Sequence, residues 1–217
     1  ISGEATVQDT GGRSMKIGII GAGVVGSTLG KGWAAKGHQV MFSSRNPHSD
    51  RMRALVAEAG PNASAGTVAE TLAFGEVLVI AIGWEALPDA LRGVGDWSGK
   101  IVIDATNRFS PPPANSVGSA AEDIAHITGA RVVKAFNTIG AANMVDPPFS
   151  EKPTMFIAGD DSEAKATVTQ LTEQMGFEVV DAGPLSNAGL LENLARLWVT
   201  LARGSLGPNI AFRLLRR

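Results

Sequence analysis

Three glycines in the segment GIIGAGVVG, Gly21, Gly23 and Gly26, have the spacing G-x-G-x-x-G and lie between an apolar run that reads as a strand and a segment that reads as a helix. That context gives the spacing its chemistry. Gly21 permits a tight turn, Gly23 lets the backbone approach a pyrophosphate, and Gly26 lets the helix pack close to the sheet, which leaves the phosphates at the helix N-terminus. Gly26, Gly30 and Ala34 continue as a stripe of small residues on one helix face. A glycine-rich turn that binds no dinucleotide is the alternative reading of the loop.

Roughly 20 residues beyond such a loop, an acid that bonds the ribose hydroxyls is expected where the ligand is NAD. Here the second apolar run ends in Ser43, Ser44, Arg45 and Asn46. A carboxylate would repel a 2'-phosphate, whereas Arg45 can grip one as a fork and the serine hydroxyls can donate to it. These residues predict NADP(H) rather than NAD. Asn46 is expected to cap the next helix, with Pro47 in its first position, which adds the positive end of a helix dipole.

A dehydrogenase of alcohols or hydroxy acids moves a proton as well as a hydride, and needs a positioned His, Tyr or Lys. The 217 residues contain neither cysteine nor tyrosine. Thiol nucleophiles, thiolate metal sites and a Tyr-Lys pair are therefore excluded, and no metal site is expected. His38, His48 and His126 read as structural or surface residues, Lys134 as a cleft or lobe contact within a buried strand, and Glu85 and Glu192 as helix-surface acids. With no side-chain acid or base in place, the expected acceptor takes hydride directly onto a ring, as flavins and deazaflavins do.

The elements that must hold these residues alternate along the chain. KIGII, HQVMF, EVLVIAI, KIVIDA and RVVKAF read as buried parallel strands, with helices between them. One helix runs from about residue 24 to 36 and stops at Gly37. Another ends before Gly60. Thr67 with Glu70 and Ser119 with Glu122 fit capping boxes. RFSPPPANSVGS is a loop after a strand, where open α/β sheets bind ligands. Later, PTMFIAG and FEVVDAG read as strands around the helix SEAKATVTQLTEQM. LLENLARLWVTLAR reads as an amphipathic helix with Leu190, Leu194, Leu197, Trp198 and Leu201 on one face, a core or homodimer surface.

The expected fold is α/β, a Rossmann-type doubly wound and mostly parallel sheet with a small C-terminal α/β lobe. Residues 15–137 would form the NADP-binding domain and 138–217 the lobe that completes the acceptor cleft. Residues 1–14 lack the basic end and apolar stretch of a secretory signal, and read as a disordered tail or expression remnant before a start at Met15. The net charge of -2 and pI near 5.9 leave no electrostatic footprint for nucleic acid or an anionic membrane. No apolar run is long enough to span a bilayer. A cytoplasmic protein with a small-molecule redox partner is expected.

The segments IGIIGAGVVG, SSRNP, AIGWEAL, IVIDATN, VVKAFNTIGAANM, FIAGDD and DAGPLSNAGLLE occur in an order and spacing that resembles the NADPH-dependent deazaflavin (coenzyme F420) reductases, or deazaflavin:NADP oxidoreductases. The resemblance covers essentially residues 15–217. The cytosolic domain of the STEAP metalloreductases is similar too. The resemblance implies that Ala22, Gly23, Val24 and Val25 meet the pyrophosphate, and Ser44 and Arg45 the 2'-phosphate. Ile82, Gly83, Trp84 and Asn107 would line the cofactor, with Asn137 and Ala141 near the nicotinamide. Thr138 and Ile139 would align hydride transfer, and Leu185, Ser186 and Asn187 would close the acceptor side. The implied co-substrate is a deazaflavin. A flavin, quinone or imine reductase, or a non-catalytic NADPH sensor, are the alternatives. The sequence departs from the family pattern at Gly83, Arg108, Asn137 and Gly189.

Overall fold

In the computed structural model, which describes residues 13–91 and 93–217, every apolar run named above forms a strand. The tail expected over residues 1–14 falls, apart from Arg13 and Ser14, outside the described residues. The strands are β1 (Lys16–Ile20), β2 (Gln39–Ser43), β3 (Ala63–Gly66), β4 (Val77–Ile80), β5 (Ile101–Asp104), β6 (Arg131–Lys134), β7 (Thr154–Gly159) and β8 (Glu178–Asp181). They form one sheet in the order β3-β2-β1-β4-β5-β6-β7-β8. The first six are parallel, β7 runs antiparallel to β6, and β8 parallel to β7. This is the doubly wound Rossmann-type fold that the alternation predicts, and β7 and β8 continue the sheet beyond β6.

The edge strand β3 escapes the apolar pattern because its residues, Ala-Ser-Ala-Gly, are small. Its backbone pairs with β2 from Val40 with Ala63 to Ser43 with Gly66. Elsewhere the two-residue period of a strand separates the two faces of the sheet. Ile17 and Ile19 enter one core with Leu29, Trp33, Met52 and Leu171. Ile20 enters the other with Leu78, Leu87, Trp97 and Ile124.

The helices are α1 (Val24–Ala35), α2 (Asp50–Ala59), α3 (Val68–Phe74), α4 (Leu87–Leu91), α5 (Ala120–Thr128), α6 (Ser162–Gln174) and α7 (Ala188–Arg203). Both expected capping boxes are present, Thr67 with Glu70 on α3 and Ser119 with Glu122 on α5. Gly37, just beyond α1, has φ of 89°, the left-handed turn that ends a helix there.

Two helix readings are corrected. The helix after the second strand starts at Asp50, and its cap is Ser49, whose Oγ accepts from the Met52 amide at 3.4 Å. Asn46 and Pro47 belong to a preceding turn closed by the Ser49 amide on the Asn46 carbonyl at 3.2 Å. A hydroxyl at residue 49 offers the helix a cap, while the Asn46 amide is already held by Ser44 Oγ at 3.1 Å. On α7, where the apolar stripe was expected to be core or homodimer surface, the buried face is Ala188, Leu191, Glu192 and Ala195, and the core alternative fails for Leu190 and Leu197, which are exposed. Among the described residues no helix is long and apolar enough to cross a membrane.

Candidate functional site

The strand order reverses at β1, whose neighbours β2 and β4 carry their crossover helices away in opposite directions, and this opens a crevice at the carboxyl ends of the strands. A cleft of about 1000 Å³ lies there. Gly21, Ala22, Gly23, Ser43, Ser44, Arg45, Asn46, Ile82 and Gly83 line it, so the glycine loop, the end of β2 and the end of β4 converge as the motifs imply.

The loop geometry follows from its glycines. Gly21 has φ of 109°, and a Cβ there would lie 2.6 Å from the Ala81 carbonyl oxygen. A Cβ on Gly26 would lie 1.9 Å from the Gly21 carbonyl oxygen, so α1 can approach the turn only without a side chain at that point. Gly23 differs, since a Cβ on it would meet nothing within 4 Å; its surface opens outward. No side chain caps α1 and no acid occupies its first turn, so the free amides and the dipole are left for an anion. This cradle fits a dinucleotide pyrophosphate.

The end of β2 divides its work. Ser43 is buried, and its Oγ accepts the Gly21 amide at 3.1 Å, which ties β2 to the glycine loop. Ser44 is half-buried and Arg45 is exposed at the cleft, with no side-chain hydrogen bond or ion pair for Arg45 among the described residues. Glu70, at the start of α3, does not compete for it. The Thr67 amide and hydroxyl donate to its carboxylate at 2.7 and 2.9 Å, and these bonds hold its carboxyl below the usual range. Arg51, which sequence reasoning did not single out, also lines the cleft and donates to the Ala22 carbonyl at 2.7 Å. Its signal was present only as a cation in the first turn of α2.

A second group of expected residues gathers at the ends of β5 and β6. Phe136 has φ of 61°, a conformation rare for a large side chain, and its ring is fixed edge-on between Trp33 and Phe177. The residues that follow it, Asn137, Thr138 and Ile139, are buried. Asn107 and Asn137 bond each other at 2.9 and 3.0 Å, and Asn137 Nδ2 also reaches the Leu191 carbonyl at 3.0 Å. Ala141 is half-buried at the next 3-10 turn, Ala141–Asn143.

The surroundings of the other expected residues differ. Val24 is exposed and Val25 packs against the core at the α1 entrance. Trp84, expected beside the cofactor, packs in the second core under the Arg108 guanidinium at 4.9 Å. Leu185 joins the same core, Ser186 is exposed, and Asn187 Nδ2 bonds the Ala182 carbonyl at 2.6 Å in the turn before α7. Arg108, one of the departures from the family pattern, is buried and pairs with Asp123 at 2.6 Å, so it anchors the proline-rich loop. Of the expected surface acids, Glu85 is exposed but Glu192 is buried against Lys134 at 3.1 Å. Lys134, expected as a cleft or lobe contact, is fully buried and meets residues 138–217 through Glu192. His38 is buried with both ring nitrogens bonded, to the Met15 amide and to Gln174, while His48 and His126 are exposed.

A family described as NADP oxidoreductase, coenzyme F420-dependent, matches residues 16–108, which hold the glycine loop and the β2 terminus. A crystal structure from Arthrobacter sp. FB24, described as a candidate F420-dependent NADP reductase, is 30% identical, covers 94% of this chain and 100% of its own, and has a TM-score of 0.82. The chain belongs to this family. It is an NADP-dependent oxidoreductase by that membership, as its resemblance implied. The F420-dependent NADP reductase of Methanocaldococcus jannaschii is 24% identical over 140 residues, 58% of this chain and 62% of that protein. The metalloreductase STEAP3 of Rattus norvegicus is 31% identical over 179 residues, 82% of this chain. The chain spans only 36% of the length of that relative.

Proposed function

We propose that this chain transfers hydride between NADP(H) and a deazaflavin coenzyme, ring to ring, with no side-chain acid or base. The observation that carries the cofactor half is the cleft in which the uncapped N-terminus of α1 and the exposed Arg45 share one surface. The amides of residues 22–25 hold the pyrophosphate, and Arg45 with Ser44 holds the 2'-phosphate. Arg51 can turn from the Ala22 carbonyl toward the same phosphate. When bound, NADPH supplies hydride from the C4 position of its nicotinamide.

Beyond that cleft, at the ends of β5 and β6, Asn107, Asn137 and Ala141 hold the nicotinamide, and Thr138 and Ile139 align the two rings. The turn before α7, anchored by Leu185 in the core and Asn187 on the Ala182 carbonyl, closes the acceptor side with its exposed Ser186. The titratable groups joined to this site, Lys134, Asp104 and Glu192, are paired with one another and buried. That supports an acceptor that needs alignment and exclusion of water rather than a proton from the protein. The chain is read as a cytoplasmic homodimer, with the exposed Leu190 and Leu197 of α7 as the face to examine by analytical ultracentrifugation.

A second reading, in which the acceptor is a flavin, rests on the resemblance to the STEAP cytosolic domain; the metalloreductase STEAP3 is similar across 82% of this chain. One experiment separates the two. NADPH is mixed with oxidised deazaflavin coenzyme and, in parallel, with FMN, while ring absorbance is followed. Bleaching of the deazaflavin with NADPH but not NADH, lost in Arg45→Glu, is the expected result. Bleaching of FMN alone moves the acceptor to a flavin, and NADPH binding without bleaching of either ring removes the deazaflavin assignment.

A further inference from the structure

We propose that Lys134 is a positioning residue for the nicotinamide site at the ends of β5 and β6, an inference that rests on the hydride-transfer reading above. Its ammonium lies 2.8 Å from Asp104 Oδ2, 2.6 Å from the Thr106 carbonyl oxygen and 3.1 Å from Glu192 Oε1. Asp104 Oδ1 accepts the Thr106 amide at 2.9 Å. The Lys134-Asp104 pair thus holds both backbone polar groups of Thr106, the residue before Asn107. Asn107 bonds Asn137, and Asn137 Nδ2 reaches the Leu191 carbonyl beside Glu192. The contacts close a ring through β5, β6 and α7.

Stability alone is a poor reason for this ring. Apolar side chains of similar volume often stabilise a core as well as a buried ion pair does, because charges lose their hydration on burial. One ammonium also serves two carboxylates, and Glu192 needs the Ala120 amide, 3.0 Å away in the first turn of α5, as a further donor. Two buried side-chain atoms of the ring, Thr106 Oγ1 and Asn137 Oδ1, have no partner among the described residues. What the ring supplies and a greasy contact cannot is direction. It fixes the peptides at residues 106–107 and 137 in angle as well as distance, where two rings must meet face to face.

The deciding variant is Lys134→Met/Asp104→Asn. It keeps the net charge of the ring and the acceptor for the Thr106 amide, but removes the donor to the Thr106 carbonyl and Glu192. Melting temperature, NADPH affinity, emission of the bound dihydronicotinamide and turnover of oxidised deazaflavin are measured on the native chain and the variant. We expect NADPH affinity within about twofold of native, since the adenosine end is remote from the change. The melting temperature should fall, because the Glu192 charge and the Thr106 carbonyl lose their donor. Below that melting point, where the variant is folded, the enhanced nicotinamide emission should be lost and kcat reduced about 100-fold, the scale of a 1 Å misplacement, with KM for NADPH little changed.

Native emission and native kcat in the folded variant would overturn the proposal. If the double variant does not fold, Glu192→Leu and Glu192→Gln decide. The leucine variant should lose emission enhancement and about tenfold in kcat while the glutamine variant restores both; equal, native behaviour of the two overturns it. A native chain that immobilises NADPH without reducing deazaflavin refutes the acceptor assignment alone, since nicotinamide emission still reads the effect of Lys134. A native chain that binds no NADPH removes both.

Discussion

Asn107 and Asn137 face each other across the ends of β5 and β6, each donating from its side-chain amide to the other residue. Asn107 Nδ2 meets the Asn137 carbonyl at 2.9 Å, and Asn137 Nδ2 meets Asn107 Oδ1 at 3.0 Å. Asn137 is buried, so its carbonyl cannot readily recruit water in exchange. Asn107→Ala should therefore destabilise the fold by about 1–3 kcal/mol, the cost of leaving a buried polar group unpaired. Urea denaturation checks this, and an unchanged midpoint would show that the pair is not formed in solution.

The glycine loop separates binding from folding. Gly23→Ala places a Cβ in open space on the side where the nucleotide approaches. It should melt like the native chain yet bind NADPH at least about tenfold more weakly, because the pyrophosphate loses its close approach. Gly26→Ala drives a Cβ into the Gly21 carbonyl and should lower the melting temperature itself. Calorimetry combined with NADPH fluorescence titration distinguishes the two.

Ser119 caps α5 and is buried, with Glu122 completing the box. Ser119→Ala should cost about 1 kcal/mol, since the Glu122 amide loses its acceptor. Helix α5 also delivers the Ala120 amide to Glu192. Hydrogen exchange at the α5 amides should rise in the variant before the exchange of β5 does.

Asp181 at the end of β8 links acidity to stability. Burial pushes its carboxyl up, but the hydrogen bond from Lys165 at 2.7 Å, the Gly183 amide at 2.8 Å and the Lys165 charge together hold it below the ordinary aspartate value. A depressed value means that the stabilisation is present above the ordinary aspartate range and fades as pH falls through the native-state value. Below about pH 5, the native chain should therefore lose stability more steeply than Asp181→Asn, while the native chain is the more stable of the two at neutral pH. Parallel acid titrations of the two would show identical slopes if the contacts are absent.

Much of the architecture was legible because parallel strands buried on both faces are written as unbroken Val and Ile runs. Both capping boxes were legible for a similar reason: their partners are three residues apart. The edge strand β3 was not, since Ala-Ser-Ala-Gly has no pattern until β2 supplies its hydrogen bonds. The cap of α2 was misplaced at Asn46 because both Asn46 and Ser49 are good caps, and the turn between them selects the second. Lys134 and Glu192 were read as separate residues, because 58 positions of sequence separate a pair that folding brings to 3.1 Å.

The amino-acid sequence by itself determined the doubly wound sheet, the glycine loop at its switch point and the cation at the end of β2. Each depends on short-range rules: strand periodicity, the freedom of glycine, and the charge of one side chain at a strand end. Tertiary structure alone decided that Ser43 steadies the loop, that Arg51 reaches the cleft, and that Trp84 and Leu185 turn into the core. It also decided which face of α7 is buried, because that choice depends on the packing of α7 against β7 and α5 rather than on the hydrophobicity of its own residues. The buried ring around Lys134 has the same origin, since its charges are tolerable only where distant segments supply one another's missing partners.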